Sequence, residues 1–496
     1  MTKSLLVYSG NDPQYLAIVW HLARTGREEG NAMVLLDLSG LLSGVGNAYN
    51  RPWLRASRRP EPDALFRTIA EGDGFEVLDG RSVAKTLLLA DVPDPAASGI
   101  AEAVHSALVS YARDPLPPTN RRLGTWTRLQ RTLTAGSRKA FQVVAEVLAD
   151  DPEIATVYVA NGRFPHQRAA IEATRLAGRT IMFYEKGDKP NSFWLESHST
   201  LDREATQSNV DAVLGARSQG DGAQVGVDWM NGRARPGNAS NIYSRFFTDS
   251  GRPATSVDGA RTVVGLFTSS QDEFAALGPE WHVQDWRDQW DGFDHVLSHL
   301  ESAGHDFYLR VHPNFTTKSH ASFVRERENV LELARKHPSL SVIWHDEQIN
   351  SYALVGQTDV VVVWDSTIGL EASGRGVPVW ELAASYYDLY ADVRQWFGPG
   401  DDPSPAELQY EVDAARAHRF MGYLVLRDTD LPRDALELRD RLTPANGFLL
   451  RMAGVAAAGG APTTAIAVAS IVDAARHRRF AINRMAAMSL VDSART

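Results

Sequence analysis

The sequence predicts an α/β protein built of two doubly wound domains. Short apolar runs rich in Val, Ile and Leu alternate with longer segments of helical period, the pattern of parallel strands joined by crossover helices. A stretch from Thr248 to Asp258, with Asp, Ser, Gly, Pro and Thr but little apolar content, divides those runs into two series and reads as a linker. A chain of 496 residues is long enough to bury two such cores without staples.

In chain order, the first series of strands is Ser4–Tyr8, Ala32–Leu36, Thr156–Ala160 and Thr180–Tyr184. The second is Thr262–Phe267, Asp306–Val311, Ser341–Trp344, Val360–Trp364 and Val377–Glu381. The expected division is a first domain over residues 1–250 and a second over 260–445. A helical segment over 446–496 is expected to pack back on the first domain, with a helix at Thr464–Arg479. No internal repeat of 20–50 residues is visible.

Composition narrows the chemistry. Hydrophobic residues are 44% and charged residues 23%, the balance of a folded globular chain. Cysteine is absent, which removes disulfides, thiolate zinc sites, iron–sulfur clusters and a cysteine nucleophile. With 51 basic against 61 acidic residues the net charge is −10, which argues against a nucleic-acid-binding surface over the whole molecule. The start Met-Thr-Lys-Ser-Leu-Leu-Val-Tyr reads as a first strand rather than an export signal. The long uncharged run from Met452 to Val472 is rich in Ala and Gly with Pro462 inside it, a poor composition for crossing a membrane. A cytoplasmic protein is the expectation, with contact at the inner membrane face as a candidate refinement.

Two doubly wound domains facing one another imply a ligand cleft between the carboxyl ends of their sheets. The common nucleotide fingerprints are missing. No Gly-x-Gly-x-x-Gly follows a strand and no Walker Gly-Lys-Ser/Thr occurs, while Gly44-Val45-Gly46 lacks a third glycine. Metal chemistry has only weak support. Asp428-Thr429-Asp430 is a short match common by chance, His345-Asp346-Glu347 has no zinc-ligand spacing, and no metal ligand is assigned. No Gly-x-Ser-x-Gly elbow is present. The stretch Trp281 to Trp290 is left as a lid or a packing patch.

The most informative segment runs from Asp359 through Val-Val-Val-Val-Trp-Asp-Ser-Thr-Ile-Gly-Leu-Glu-Ala-Ser-Gly-Arg-Gly-Val-Pro-Val to Trp380. It predicts a buried strand, a turn, a short helix and a second strand. Ser366 or Thr367 stands where a helix N-cap belongs, and Gly374 and Gly376 are placed to end the helix in left-handed conformations. Free N–H groups there would suit a phosphate. Glu371 lies one turn in, placed either to accept hydrogen bonds from ribose hydroxyls or to pair with Arg375 at i+4.

Three further strand ends carry compatible chemistry. Tyr308-Leu-Arg-Val-His-Pro-Asn ends in a turn that projects His312, whose imidazolium would neutralise a phosphate or a leaving nucleotide. Leu266-Phe-Thr-Ser-Ser-Gln supplies Ser269 and Ser270, small donors for a phosphate or a ribose, though an ordinary hydroxyl-capped turn uses the same residues. Ile349-Asn-Ser-Tyr-Ala-Leu starts a helix with a polar end at Asn350 and Ser351.

In this order, Arg-x-His-Pro-Asn, Ile-Asn-Ser-Tyr-Ala-Leu, Asp-Ser-Thr-Ile-Gly-Leu-Glu-Ala and Gly-x-Pro-Val, the chain resembles bacterial capsule and surface-polysaccharide glycosyltransferases. These are GT-B enzymes, with two Rossmann-like domains facing across a cleft, related to Kdo transferases and glycerophosphotransferases. The likeness is strongest over residues 260–390. It implies that the second domain binds an activated donor, with His312, Ser366, Thr367, Gly369 and Glu371 at donor-binding positions and Arg310 beside them. No cofactor is implied; the co-substrate is a nucleotide-sugar, with CMP- or UDP-linked sugars the expected donors. The Glu-x7-Glu pattern of many retaining members fails here, because position 379 is Val and Glu381 comes two residues late.

In the first domain, Thr156-Val-Tyr-Val-Ala-Asn-Gly-Arg-Phe-Pro-His predicts a strand, a tight turn at Asn161-Gly162 and a helix start. Arg163 and His166 are expected to point into the cleft. The next strand ends in Tyr184-Glu-Lys-Gly-Asp, which places Glu185 to deprotonate an acceptor hydroxyl, or else to pair with Lys186, Lys189 or Arg163. The resemblance extends to these turns, so Asn161, Arg163, His166 and Lys186 are expected to bind the acceptor. From Leu116 to Val144 no acidic residue occurs among Arg121, Arg122, Arg128, Arg131, Arg138 and Lys139. Residues 121–139 are therefore a candidate contact for anionic lipid or an anionic glycan, or a plain solvated face.

The expectation is a metal-independent glycosyltransferase that moves a sugar from a nucleotide-activated donor to a glycan or glycolipid acceptor. His312 would stabilise the leaving group and Glu185 would act as base. Glycerophosphate transfer, non-hydrolysing nucleotide-sugar epimerisation and a non-catalytic envelope-assembly partner are the alternatives.

Overall fold

The computed structural model describes residues 2–443, apart from 10–11, 42–61, 88–90, 116–122, 200–201, 216–218, 236–260, 279–280, 314, 316–317, 319 and 348. The expected linker, the Gly44-Val45-Gly46 loop, the apolar run 452–472 and the expected packing of 446–496 lie outside the described residues.

Thirteen strands appear among those residues. The first group is β1 Lys3–Tyr8, β2 Ala32–Asp37, β3 Glu76–Asp79, β4 Ile154–Ala160, β5 Thr180–Lys186 and β6 Ser192–Glu196. The second is β7 Val263–Phe267, β8 Asp306–Arg310, β9 Leu340–Ile343, β10 Val360–Val363, β11 Val379–Glu381 and β12 Arg394–Gln395, with β13 at Thr429–Asp430. Every strand expected from the sequence is present within two residues at either end. The short strands β3, β6, β12 and β13 are additions to that series.

One sheet has the order β13-β6-β5-β4-β1-β2-β3 and the other β12-β11-β10-β7-β8-β9. The pairs from β3 through β5 are parallel, and β6 and β13 are added antiparallel at the edge. The second sheet is parallel throughout. Counted within its own domain, each sheet runs 3-2-1-4-5, so the order reverses beside the first strand. A crevice then opens at the carboxyl ends of the strands.

Burial explains the strand sequences. Val360 and Val362 face one core while Val361 and Val363 face another, and all four are fully buried. A parallel strand covered by helices on both faces must read as an unbroken apolar run. Leu5 and Val7 against Leu6 and Tyr8 divide in the same way across β1. Trp281, Trp286 and Trp290 are buried in the core beside the second sheet, so that stretch serves packing rather than a lid.

Two features join the domains. The chain crosses back after the helix Ala414–Leu426: β13 pairs with β6, and Leu431, Leu438 and Leu442 enter the same core as Leu16 and Val19. Residues 429–443, expected in the second domain, thus complete the first. The Asp428 carboxylate fastens this return by accepting from Lys189 N at 2.7 Å and Ser192 Oγ at 2.8 Å, and Asp430 pairs with Lys189 at 3.1 Å. The Asp-x-Asp pattern is occupied by these structural contacts. Second, the helix Gln219–Ala234 lies directly on Ala414–Leu426. A Cβ on Gly226 would come within 1.9 Å of the His418 carbonyl oxygen, and one on Gly422 within 2.0 Å of the Gly222 carbonyl oxygen. Only glycine permits that backbone approach.

Among the described residues, no helix is long and apolar enough to cross a membrane. Arg128, Arg131, Arg138 and Lys139 are exposed along the helix Leu123–Asp150. Arg121 and Arg122 lie outside the described residues.

Candidate functional site

Four strand ends of the second sheet converge on one cleft of ≈ 200 Å³. The turn after β7 contributes Ser269 and Ser270, and the turn after β8 contributes His312. The helix Ser351–Val355 contributes Ser351 and Tyr352, and the turn after β10 contributes Asp365, Ser366 and Thr367. Glu371 lines the same wall. The donor-binding expectation therefore collects Ser269, Ser270, Arg310, His312, Ser351, Ser366, Thr367 and Glu371 around one space.

Two of the expected residues stand behind the wall. Asn350 caps the helix Ser351–Val355 by accepting from Tyr352 N at 2.9 Å, as its polar helix-start position requires. Gly369 is buried, and a Cβ there would come within 2.3 Å of the Tyr387 hydroxyl oxygen. That hydroxyl donates to the Ser366 carbonyl at 2.6 Å, so the glycine makes room for a bond that holds the Ser366 turn.

The hydroxyls divide by use. Ser270 donates to Asp272 at 3.0 Å and is an ordinary turn hydroxyl. Ser269 accepts from Asp365 N at 3.3 Å. Ser366 holds the N-cap position of the helix Thr367–Ser373, yet its side chain makes no capping bond. Gly374 is right-handed with φ −64°, and Gly376 alone adopts the expected left-handed turn, at φ 77°. The space beside Gly374 is filled by Met230 and Met421 of the crossing helices.

Arg310 is a wall rather than an open cation. Its guanidinium donates to the carbonyls of Trp344, of Ile349 at 3.2 Å and of Glu347 at 3.4 Å, which ties the loop ahead of Ser351 to β8. Burial lowers its pKa to about 10. His312 also departs from expectation. Burial lowers its pKa to about 4, aided by the nearby Lys318 charge, so the ring is neutral at pH 7 and not an imidazolium. Its backbone N–H donates to Thr268 Oγ1 at 2.8 Å, fixing the turn.

Glu371 pairs with neither the expected Arg375 nor solvent. Its Oε1 accepts from Arg233 Nε and from the Tyr352 hydroxyl, both at 2.9 Å. Arg375 instead lies over the Tyr352 ring, 5.4 Å from its centroid. Arg233 comes from the glycine-rich helix Gln219–Ala234, which carries no strand-end signal, and only the helix crossing brings it here.

Sequence reasoning also misses Asp365, although its place as the first carboxyl after Val-Val-Val-Val-Trp is a readable signal. Burial pushes its carboxyl up to about 7 despite the Ser269 hydrogen bond, and the Glu273 charge adds to the rise. A carboxyl balanced between its two states at neutral pH is suited to holding or releasing a proton beside a charged ligand.

The residues expected to bind the acceptor do not line this cleft. Asn161 and Gly162 make the left-handed turn, with φ 52° and 90°. Asn161 Nδ2 and the Tyr15 hydroxyl donate to opposite oxygens of Glu185, and Lys186 N adds a bond at 2.8 Å. None of the ion pairs expected for Glu185 forms: Lys186 pairs with Asp12 at 2.7 Å, and Arg163 donates to Ser110 at 3.0 Å. His166 is buried rather than turned into the cleft, and burial lowers its pKa to about 4. It sits in the first turn of the helix Pro165–Leu176, whose packing on the first sheet leaves that ring little access to solvent.

Two sheets with parallel cores of this order, a crevice at their carboxyl ends and a terminal return to the first domain together have a name. This is the GT-B fold. Solved structures of similar layout include a Thermosulfurimonas dismutans KpsC, beta Kdo 2,7 transferase, at 13% identity and TM-score 0.35, covering 61% of this chain and 90% of that one. Acinetobacter baumannii MurG is 8% identical with TM-score 0.27, covering 89% and 99%. The Neisseria meningitidis UDP-GlcNAc 2-epimerase, solved bound to UDP-GlcNAc, is 12% identical with TM-score 0.26, covering 79% and 86%. At these identities and TM-scores the three likenesses carry no argument about this chain, and the fold rests on its own strand order. No family model matches the sequence, and neither does any curated protein.

Proposed function

We propose that the protein is a glycosyltransferase that takes a sugar from a nucleotide-activated donor without a metal ion, the donor lying in the cleft of the second domain. The observation that carries this reading is the convergence of Ser269, His312, Ser351, Ser366, Thr367 and Glu371 from separate strand ends onto one space. Hydroxyls at the mouth of such a cleft suit phosphate oxygens, and a carboxylate deeper in the wall suits a ribose diol.

The roles follow from the electrostatics. Neutral His312 binds as a hydrogen-bonding group, and an arriving phosphate raises its proton affinity. Asp365 in its protonated form donates to the leaving phosphate, where charge develops as the glycosidic bond breaks. Glu185 has three donors on a carboxylate with about four acceptor sites. We assign it the task of pinning the Asn161 turn, and no proton transfer.

The test is calorimetric titration with CMP, CDP, UDP and GDP, on the wild type and on Glu371→Ala. Binding of one nucleotide, weakened at least tenfold in the variant, supports the donor site. CDP as the preferred ligand turns the reading toward glycerophosphate transfer. Conversion of a nucleotide-sugar with no acceptor present turns it toward epimerisation. Absence of binding to all four leaves the assembly-partner reading.

A further inference from the structure

Glu381 ends β11 beside Val363 of β10, the strand that runs on into the turn of Asp365, Ser366 and Thr367. Successive residues of a strand face opposite sides, so Glu381 shares a face with Val379, which lies in the core of Val361, Val363 and Ile368. The glutamate is 0% exposed. A charge so deeply buried needs a cation, and the charged groups that act on this one most strongly are Asp388 and Asp365, both acidic. The nearby guanidinium of Arg203 is committed to Asp388, donating to both of its oxygens at 2.5 Å.

The polar neighbours of Glu381 are the hydroxyls of Ser385 and Tyr387. A tyrosine hydroxyl has one proton to give, and that of Tyr387 goes to the Ser366 carbonyl at 2.6 Å. A bond between Tyr387 and Glu381 therefore requires the glutamate to be the donor, and only the un-ionised acid has a proton to donate. Neither carboxyl oxygen accepts an aligned hydrogen bond from the described residues, which would leave a carboxylate unserved there. Burial raises the Glu381 pKa well above the ordinary carboxyl value, and the Asp388 charge adds to the rise.

The turn on the far side of Tyr387 belongs to the donor cleft. The Ser366 carbonyl accepts from Tyr387 Oη and from Gly369 N at 2.9 Å, so both its lone pairs are used. The adjacent Tyr386 hydrogen-bonds Thr367. Two consecutive tyrosines thus hold two consecutive residues of the cleft wall.

We propose that Glu381 is a positioning residue for the donor cleft: as the un-ionised acid it donates to the Tyr387 hydroxyl oxygen and through it fixes the Ser366–Thr367 turn. The role rests on the donor-site reading above. Glu381 stands behind the wall and touches no ligand; it acts through Tyr387.

The first test is infrared difference spectroscopy on the full chain at pH 8, where Asp365, with its pKa of about 7, is mostly ionised. The spectrum of the wild type minus that of Glu381→Gln is expected to show the carbonyl stretch of an un-ionised carboxyl group. Titration with the nucleotide that the wild type binds then reads the positioning. Glu381→Gln retains an uncharged donor and should bind within about twofold of the wild type. Glu381→Leu keeps much of the volume without a donor and should lose about fivefold in affinity, the size of one net hydrogen bond. Its thermal midpoint should be unchanged or higher, because a buried polar group has been removed. Weaker binding by a protein at least as stable cannot come from lost packing. Tyr387→Phe removes the bond to Ser366 itself, should lose at least as much affinity, and decides where Glu381→Leu lowers the thermal midpoint. No such band in the wild type, wild-type affinity in Glu381→Leu and Tyr387→Phe, or a Glu381→Gln that binds no better than Glu381→Leu would overturn the proposal. The band is read without nucleotide. Its absence beside normal nucleotide binding removes the role of Glu381 alone, and its presence in a protein that binds none of CMP, CDP, UDP and GDP removes the donor reading and the positioning role together.

Discussion

Arg233 Nε donates to Glu371 Oε1 at 2.9 Å, joining a helix of the first half of the chain to the cleft of the second domain. The Arg233 and Glu371 side chains are 20% and 3% exposed. Removing one partner strands the other's charge out of water, which costs about 3 kcal/mol for a buried pair. Arg233→Ala is therefore expected to lower the unfolding free energy in urea by about that amount and to weaken nucleotide binding about tenfold. In the double variant Arg233→Met with Glu371→Leu, stability should recover while nucleotide binding stays lost. Recovery of both would make the pair a structural strut only.

Asp365 sets a pH dependence. Burial raises its folded pKa to about 7, above the ordinary value of 3.8 in the unfolded chain. Its contribution to stability is fully present below the unfolded value and is lost as pH rises through about 7. The same ionisation adds a negative charge to the cleft. Nucleotide affinity should thus fall several-fold between pH 6 and pH 8 in the wild type, and the fall should be much smaller in Asp365→Asn. Calorimetry at the two pH values decides, and equal slopes in the two proteins would remove Asp365 from the site.

The glycine crossing is sensitive to a single methyl group. Gly422→Ala would push against the Gly222 carbonyl, which a helix backbone cannot yield. Overpacking of this kind costs about 1–3 kcal/mol. The thermal midpoint should drop by several degrees, and nucleotide affinity should drop as well, because the displaced helix carries Arg233.

Lys318 is buried between Asp272 at 2.8 Å and Glu326 at 3.0 Å, behind the Ser270 turn. Lys318→Met leaves two carboxylates facing one another out of water, at a cost of about 3–5 kcal/mol. Protonation would relieve that repulsion, so the deficit measured by urea unfolding should shrink from pH 7 to pH 5. A deficit independent of pH would assign the loss to packing.

Glu185→Gln keeps the shape of the side chain but weakens its bonds from Tyr15, Asn161 and Lys186 N. Once the donor is known, turnover is expected within about threefold of wild type, with stability lower by about 1–3 kcal/mol. A loss of two or more orders of magnitude would restore Glu185 as the acceptor's base.

The strand series is most legible where a central parallel strand is covered on both faces, so burial writes an apolar run at β1, β7 and β10. The strand-end residues of the donor cleft are legible for the same reason, since a polar turn after such a run marks the carboxyl edge where ligands sit. The edge strands are not. β12 and β13 are two residues each, and β6 pairs Ser-Phe-Trp-Leu-Glu at a margin where no period is established. The positions of Arg310 and His312 at a strand end can be read from the chain, but their state cannot. Desolvation depends on every neighbour, and here it leaves the histidine neutral and commits the arginine to carbonyls.

The sequence by itself determined the two α/β sheets, the cleft at their carboxyl ends and the hydroxyl-rich turns that line it, because local burial and turn chemistry are recorded residue by residue. Tertiary structure alone decided that Arg233 reaches Glu371, that His166 is buried and that Arg427 reaches Asp188. These meetings depend on the helix crossing at Gly226 and Gly422 and on the chain's return through β13, contacts between residues far apart in the chain that no local pattern encodes.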